Sequence, residues 1–146
     1  MQDITANGIA LLCEFEGFKA LPYADVAGNW TVGYGTKITA AQQVKYADGI
    51  SPANAQLLLI ESCKQIQSLL PPLDSLFSYQ QDALYCLVYN IGVSAFKQST
   101  IFDHLLKRNT DLSPWKWWNK AGGHILSDLV QRRDRELRLF IYGVYK

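Results

Sequence analysis

Residues 14–36 read EFEGFKALPYADVAGNWTVGYGT. Upstream of it, Thr5 or Asn7 can cap a helix whose Ile9, Leu12 and Cys13 recur at three and four residues, and Gly17 is placed to end that helix. Glu16 then falls in the last turn. From Leu21 to Ile38 the pattern changes: Pro22, Gly28, Gly33 and Gly35 punctuate Tyr23, Trp30, Val32 and Tyr34, which predicts short strands joined by tight turns. One stretch therefore carries a carboxyl at a helix end (Glu16), a second carboxyl on a loop (Asp25) and a hydroxyl on the strand beyond (Thr31). Acid-assisted addition of water across a glycosidic bond needs groups of these kinds.

Working outward, helix signals dominate the rest of the chain. Ser51-Pro52 is a cap and first-turn pair, and the run through Leu57, Leu58, Glu61, Ile66 and Leu69 is closed by Pro71-Pro72. Ser78 opens a further helix, with Leu84, Leu87, Val88 and Ile91 inward and Gly92 at its end. Ser99 or Thr100 opens another through Ile101, Leu105 and Leu106, and Ser113-Pro114 repeats the start signal before Trp115, Trp117 and Trp118. In the terminal helix Leu126, Leu129, Val130, Leu137, Phe140 and Ile141 trace the apolar face, leaving Arg132, Arg135 and Glu136 among the polar positions. The expected fold class is α+β. A small sheet-containing lobe (about 15–50) is joined by a connecting helix (about 52–70) to a helical lobe (about 73–146, with the first helix). The groove at their junction is the ordinary place for an extended ligand.

At 146 residues with 49% hydrophobic content, the chain is long enough for one core and too short for two ordinary domains. Its longest apolar stretches, such as Ile9–Cys13 and Leu57–Ile60, fall far short of the ~20 residues that cross a bilayer. The N-terminal run lacks a basic region, so a cleaved secretory signal is not expected. Cys13, Cys63 and Cys86 lie in apolar company without CxxC spacing, which predicts reduced packing thiols. His104 and His124 are too few and too isolated for a metal cluster. Residues 1–106 are net acidic and 107–146 net basic, so the tail either presents a cationic face to an anionic polymer or is a solvated helix surface. Helical packing is expected for at least two of the three clustered tryptophans.

Individually, each candidate has an ordinary structural role. Asp25 precedes a glycine turn, where aspartate commonly bonds its own backbone; if it faces the groove it can orient or deprotonate water. A strand threonine is usually explained by packing, yet the Thr31 hydroxyl could fix the same water. Position near the negative helix end, with Phe15 and Phe18 beside it, favours Glu16 as a proton donor.

The joint pattern is more specific. The spacing of nine from Glu16 to Asp25 and six more to Thr31, within EGF, YADVAG and TVGYG, resembles the phage-type lysozymes of glycoside hydrolase family 24. NIGVSAFKQST (Asn90–Thr100) resembles that family's Asn-x-Gly and Phe-x-x-Ser-Thr segment, and AGGHILSDLVQRRDRE (Ala121–Glu136) its Gly-Gly and Arg-Arg-x-x-Glu segment. The resemblance implies a lysozyme-like fold with the cleft between its lobes. It also implies an inverting muramidase that cuts the β-1,4 bond between N-acetylmuramic acid and N-acetylglucosamine, with Glu16 as acid and Asp25 plus Thr31 positioning water. Asn90 matches an amide-bearing groove position, and Arg132 an arginine that approaches the acid and would favour its anion; both are carried over as substrate-binding residues, while Arg133 is expected to be structural. Neither metal nor organic cofactor is implied. The implied partner is the peptidoglycan glycan strand, met by a monomer with no stable membrane insertion and no nucleic-acid role. The protein would accumulate in the host cytoplasm and rely on a separate membrane pore to reach the wall. Thr36 stands where many relatives have histidine, and Ala27 where some carry a further acid. A lytic transglycosylase and a non-catalytic glycan binder are the alternatives.

Overall fold

The computed structural model describes all residues, Met1–Lys146. Helix α1 (Ala6–Glu16) is capped by Thr5, whose hydroxyl accepts from the Gly8 amide, and stops at Gly17, where φ is +67°. A three-stranded antiparallel sheet follows in the order β1 (Lys19–Ala24), β2 (Trp30–Gly33), β3 (Thr36–Lys37). Pro22 has no N–H for a ladder, and it lies in edge strand β1 where the register shifts between Lys19 and Tyr23. From Tyr23 onward the pairing is regular: Tyr23 opposes Thr31 and Ala24 opposes Trp30, so Asp25 emerges at the turn beside Thr31.

A short helix α2 (Ala40–Lys45) leads to the long α3 (Pro52–Leu69), which packs against β2 and β3. Five further segments precede the last helix: α4 (Ser78–Ile91), α5 (Val93–Lys97), α6 (Thr100–Leu106), a 3₁₀ turn (Ser113–Trp117) and a hairpin of two-residue strands, β4 (Lys120–Ala121) with β5 (His124–Ile125). Helix α7 (Ser127–Tyr142) is last. Residues 81–88 of α4 are buried on every side, as befits a central helix on which α1, α3 and α7 all pack. Its buried polar groups are satisfied by both chain ends. Gln81 accepts from the Gln2 amide, and Asp82 accepts from the Thr5 amide and from the Tyr145 hydroxyl. Small sheet-bearing lobe, connecting helix and larger helical lobe thus form the expected α+β architecture.

Several sequence expectations need correction. Helix α2 was not anticipated, although Thr39 and Gln42 form a reciprocal capping box at its start. Ser78 is the first helical residue of α4 rather than its cap, and the Phe77 amide is held by the Gln80 side chain. Most consequentially, Arg132, Arg133 and Glu136 are buried with Leu137 and Phe140, while Leu126 and Ile141 are exposed. The inward face of α7 is part ionic because the three charges satisfy one another there. No helix is long and apolar enough to cross a membrane.

Candidate active site

Glu16 is delivered by the last turn of α1, and its side chain is 15% exposed. Two neighbours fix its carboxylate. Arg132 Nη2 lies 2.8 Å from Oε1, while the same nitrogen donates to the Cys86 carbonyl at 2.9 Å. The ion pair is close, yet Oε1 is buried without an aligned hydrogen-bond donor. On the other side, a Cβ at position 35 would stand 2.7 Å from Oε2 and would push the carboxylate end of Glu16 aside, and the φ of +70° at Gly35 favours glycine there.

Behind the acid lies a buried ionic cluster centred on Glu136. Arg132 Nε donates to its Oε1 at 3.0 Å, Arg133 Nη2 to Oε1 at 2.9 Å and Trp115 Nε1 to Oε2 at 2.9 Å. Burial pushes the Glu136 carboxyl up, and the guanidiniums of Arg133 and Arg132 and the Trp115 indole N–H oppose it. Arg132 also lies over the Phe15 ring, 4.8 Å from its centroid, and Arg135 does the same while holding Glu14 with two bonds of 2.7 and 3.2 Å. Lys116 pairs with Asp134 and Lys107 with Asp103. Five of the nine basic residues of the tail are thus paired, whereas Arg108, Lys120, Arg138 and Lys146 are in no ion pair.

Asp25 sits at the β1–β2 turn in the ordinary backbone-bonding role and is open to solvent at the same time. Its Oδ1 accepts from the Asn29 amide at 2.8 Å and the Ala27 amide at 2.9 Å, leaving Oδ2 without a protein donor. The Asn29 backbone N–H above all, and then the Asn29 side chain, the Ala27 amide and the Lys37 ammonium, hold this carboxyl below the usual aspartate range. Thr31 is buried, and its hydroxyl donates to the Asn29 carbonyl at 3.1 Å, so the oxygen lone pairs remain as acceptors. Burial, then the charges of Glu16 and Asp25, push the Tyr23 phenol up, which puts both carboxylates within electrostatic reach of one ring.

Three concavities are lined by neighbours of these groups, and none of the three is lined by Glu16, Asp25 or Thr31 itself. One of about 310 Å³ lies beyond Gly35, between the sheet, α3 and Tyr89 of α4. A second, of about 340 Å³, is bounded by Phe15, Arg132 and Arg135; it shares Asp128 and Leu129 with a third, of about 460 Å³, at Asn90, Trp118 and Lys120. A larger cavity of about 480 Å³ among Leu76, Leu105 and Phe140 belongs to another part of the helical lobe.

The structure gives the two groove candidates different surroundings. Asn90 is exposed, but its Oδ1 accepts from Arg133 Nη2 at 3.0 Å, so only its amide N–H groups are free for a ligand. Arg132 is 8% exposed, and its N–H groups face Glu16, Glu136 and the Cys86 carbonyl. Gly35, Glu136, Trp115 and Tyr89 were not singled out for the site from sequence. The Gly-x-Gly and Arg-Arg-x-x-Glu patterns carried the signal for the first two. Tyr89 donates to the Tyr34 carbonyl at 2.8 Å and stands 3.4 Å from the hydroxyl of Thr36.

The sequence profile of the phage lysozymes matches residues 13–136, the span from α1 to the Glu136 cluster. The chain belongs to the phage lysozyme family. Its relatives in this family include the endolysin of Salmonella phage P22, 33% identical over 97% of this chain and 99% of that protein. The endolysin of Bacillus phage B103 is 32% identical over 99% of this chain but only 56% of its own length. The chain spans a little over half the length of the Bacillus phage endolysins it matches. Among solved phage lysozyme folds, the endolysin of Escherichia coli O157:H7 phage FAHEc1 superposes with TM-score 0.82 at 27% identity, covering 100% of this chain and 97% of that one.

Proposed function

We propose that the protein is a peptidoglycan muramidase acting through residues 1–146 as one catalytic unit, and that it hydrolyses the β-1,4 bond from N-acetylmuramic acid to N-acetylglucosamine with inversion. The observation that carries this reading is the seating of Glu16: a largely buried carboxyl between Arg132 and Gly35, at the junction of helical lobe and sheet, with Asp25 at the β1–β2 turn and Thr31 on β2. Glu16 protonates the leaving oxygen. Because Oε1 faces a guanidinium that cannot accept a proton, the transferred proton is assigned to Oε2 on the Gly35 side. A water molecule donates one hydrogen to Thr31 Oγ1 and the other to Asp25 Oδ2, which aims its free lone pair at the anomeric carbon and gives Asp25 its proton as the bond forms. Inversion requires the carboxyls to stand roughly 6.5–9.5 Å apart so that this water fits between them. Arg132 positions the acid, and Asn90 donates its amide hydrogens to an N-acetyl carbonyl.

Membership of the phage lysozyme family supports a role in lysis from within, with the protein held in the host cytoplasm until a separate membrane pore admits it to the wall. The test is product analysis of peptidoglycan digests by wild type and Glu16→Gln. Wild type is expected to release reducing sugars one water heavier than anhydro products, and Glu16→Gln to lose at least about 10²-fold in rate while keeping its fold. Anhydro products would point instead to a lytic transglycosylase, and binding without cleavage to a glycan-binding protein.

A further inference from the structure

Glu136 has no part in the scheme above and lines none of the concavities, yet its carboxylate is one guanidinium away from the proposed acid. Arg132 stands between the two carboxylates, with Nη2 2.8 Å from Glu16 Oε1 and Nε 3.0 Å from Glu136 Oε1. Its contacts on the two sides differ in quality. Toward Glu16 there is proximity without an aligned hydrogen bond, whereas Nε donates to Glu136, Nη2 donates to the Cys86 carbonyl at 2.9 Å, and the guanidinium lies over the Phe15 ring. Arg132 is thus anchored from behind and keeps its place whether Glu16 is charged or neutral. Glu136 is anchored in turn. It is fully buried and accepts from Arg133 Nη2 and Trp115 Nε1, both at 2.9 Å, and the Trp115 ring is itself fully buried against Phe140. Stability alone gives little reason for such a cluster, because well-packed apolar residues of similar volume commonly hold a fold at least as well.

We infer that Glu136 is a positioning residue for the reaction: it fixes Arg132, and through Arg132 the carboxylate of Glu16, across the change of charge that each turnover demands. The inference rests on the muramidase reading with Glu16 as acid and deepens it by one residue. When the proton passes from Glu16 to the leaving oxygen, a negative charge appears on a side chain that is only 15% exposed. A cation already in place stabilises that charge with no reorganisation at the moment of reaction. A guanidinium held by Glu16 alone would be released each time the acid took up a proton again. With Glu136 present, two carboxylates face the two guanidiniums of Arg132 and Arg133, so the cluster is electrically balanced when Glu16 has given up its proton. Trp115 is the uncharged far end of this relay, holding the Glu136 oxygen that Arg132 does not use.

The test compares kcat and KM on soluble peptidoglycan fragments for wild type, Glu136→Gln and Trp115→Phe, each rate normalised to the folded fraction seen by circular dichroism in the assay buffer. Glu136→Gln keeps the shape and removes the charge. It is expected to lower kcat by about ten- to a hundredfold and to leave KM within about twofold, since the contact matters only as charge develops. Trp115→Phe keeps every charge and withdraws one donor from Glu136; a smaller loss, about two- to fivefold in kcat, is expected, and it is the deciding variant if Glu136→Gln does not fold. Leu139→Ala truncates a fully buried side chain of the same helix and is expected to keep the wild-type kcat per folded molecule, which separates lost stability from lost positioning. In an Arg132→Lys background, Glu136→Gln is expected to lower kcat little further, because the two residues act as a unit. Undiminished kcat in the Glu136 and Trp115 variants, an equal loss in Leu139→Ala, or the same factor lost again in the Arg132→Lys background would overturn the inference. Failure of the underlying reading has a different signature: a wild type that cleaves nothing, or a Glu16→Gln that cleaves as the wild type does, defeats the muramidase scheme before Glu136 enters.

Discussion

Replacing Gly35 with alanine probes how tightly the acid is seated. The backbone there has φ +70°, which costs an L-residue about 1–2 kcal/mol, and the new methyl would stand 2.7 Å from Glu16 Oε2. Displacing the acid is expected to lower kcat by about 10²-fold while far-UV circular dichroism stays unchanged. A fully active Gly35→Ala would mean that Oε2 is not where the reaction takes its proton. Asp25 offers a test in pH. Its carboxyl is more acidic than usual in the folded chain, because the Asn29 and Ala27 amides bond the anion. Such a group stabilises the fold above the unfolded-state titration, and that contribution fades as pH falls through the lower, folded value. Melting temperatures of wild type and Asp25→Asn should therefore differ at neutral pH and converge in acid below the ordinary aspartate range; a gap that widens in acid would contradict the assigned hydrogen bonds. Asp25 and Thr31 were legible in sequence as residue types at a spacing. What sequence could not give is that Asp25 keeps one oxygen for its own turn and one for solvent.

Among the elements, α7 departs furthest from its sequence pattern. An apolar-periodicity reading puts arginine and glutamate outside, but the helix turns Arg132, Arg133 and Glu136 inward, where each neutralises another. Removing the shared anion leaves two buried guanidiniums short of a partner. Glu136→Gln is expected to destabilise the fold by about 3–5 kcal/mol in urea unfolding, and a cost under about 1 kcal/mol would show the cluster to be dispensable. Helices α1, α3 and α4 were legible because apolar spacing, caps and terminating Gly or Pro agree in each. Helix α2 and the β4–β5 hairpin were not read. Two-residue strands have no alternation to detect, and the Thr39-x-x-Gln42 box precedes a helix with no buried residue. Helix α5 was not read for a similar reason, since a five-residue helix is too short to show a period, whereas the Ser99–Thr100 start of α6 was.

At the scale of the whole molecule, the thiols report on the core. Cys63 is pushed up to about 12 and Cys86 well above the ordinary thiol value, in each case chiefly by burial, whereas Cys13 is only partly buried. Under native conditions a thiol reagent is expected to modify Cys13 first, with Cys63 and Cys86 reacting at the rate of global opening. Early labelling of Cys86 would show that α4 is not the rigid centre its burial implies. Between the lobes, the Tyr89 hydroxyl is one fastening, reaching from α4 to the Tyr34 carbonyl of the sheet. The proposed acid rides on α1, which packs on α4 and α3, whereas its proposed water holders sit at the β1–β2 turn and on β2. In the proposed mechanism, the gap that admits one water molecule is thus a distance between two bodies and no property of either. Any tilt of the sheet relative to the bundle opens or shuts that gap like the jaws of a caliper. Turnover can then be tuned by stiffness at Tyr89, with every reacting group left in place.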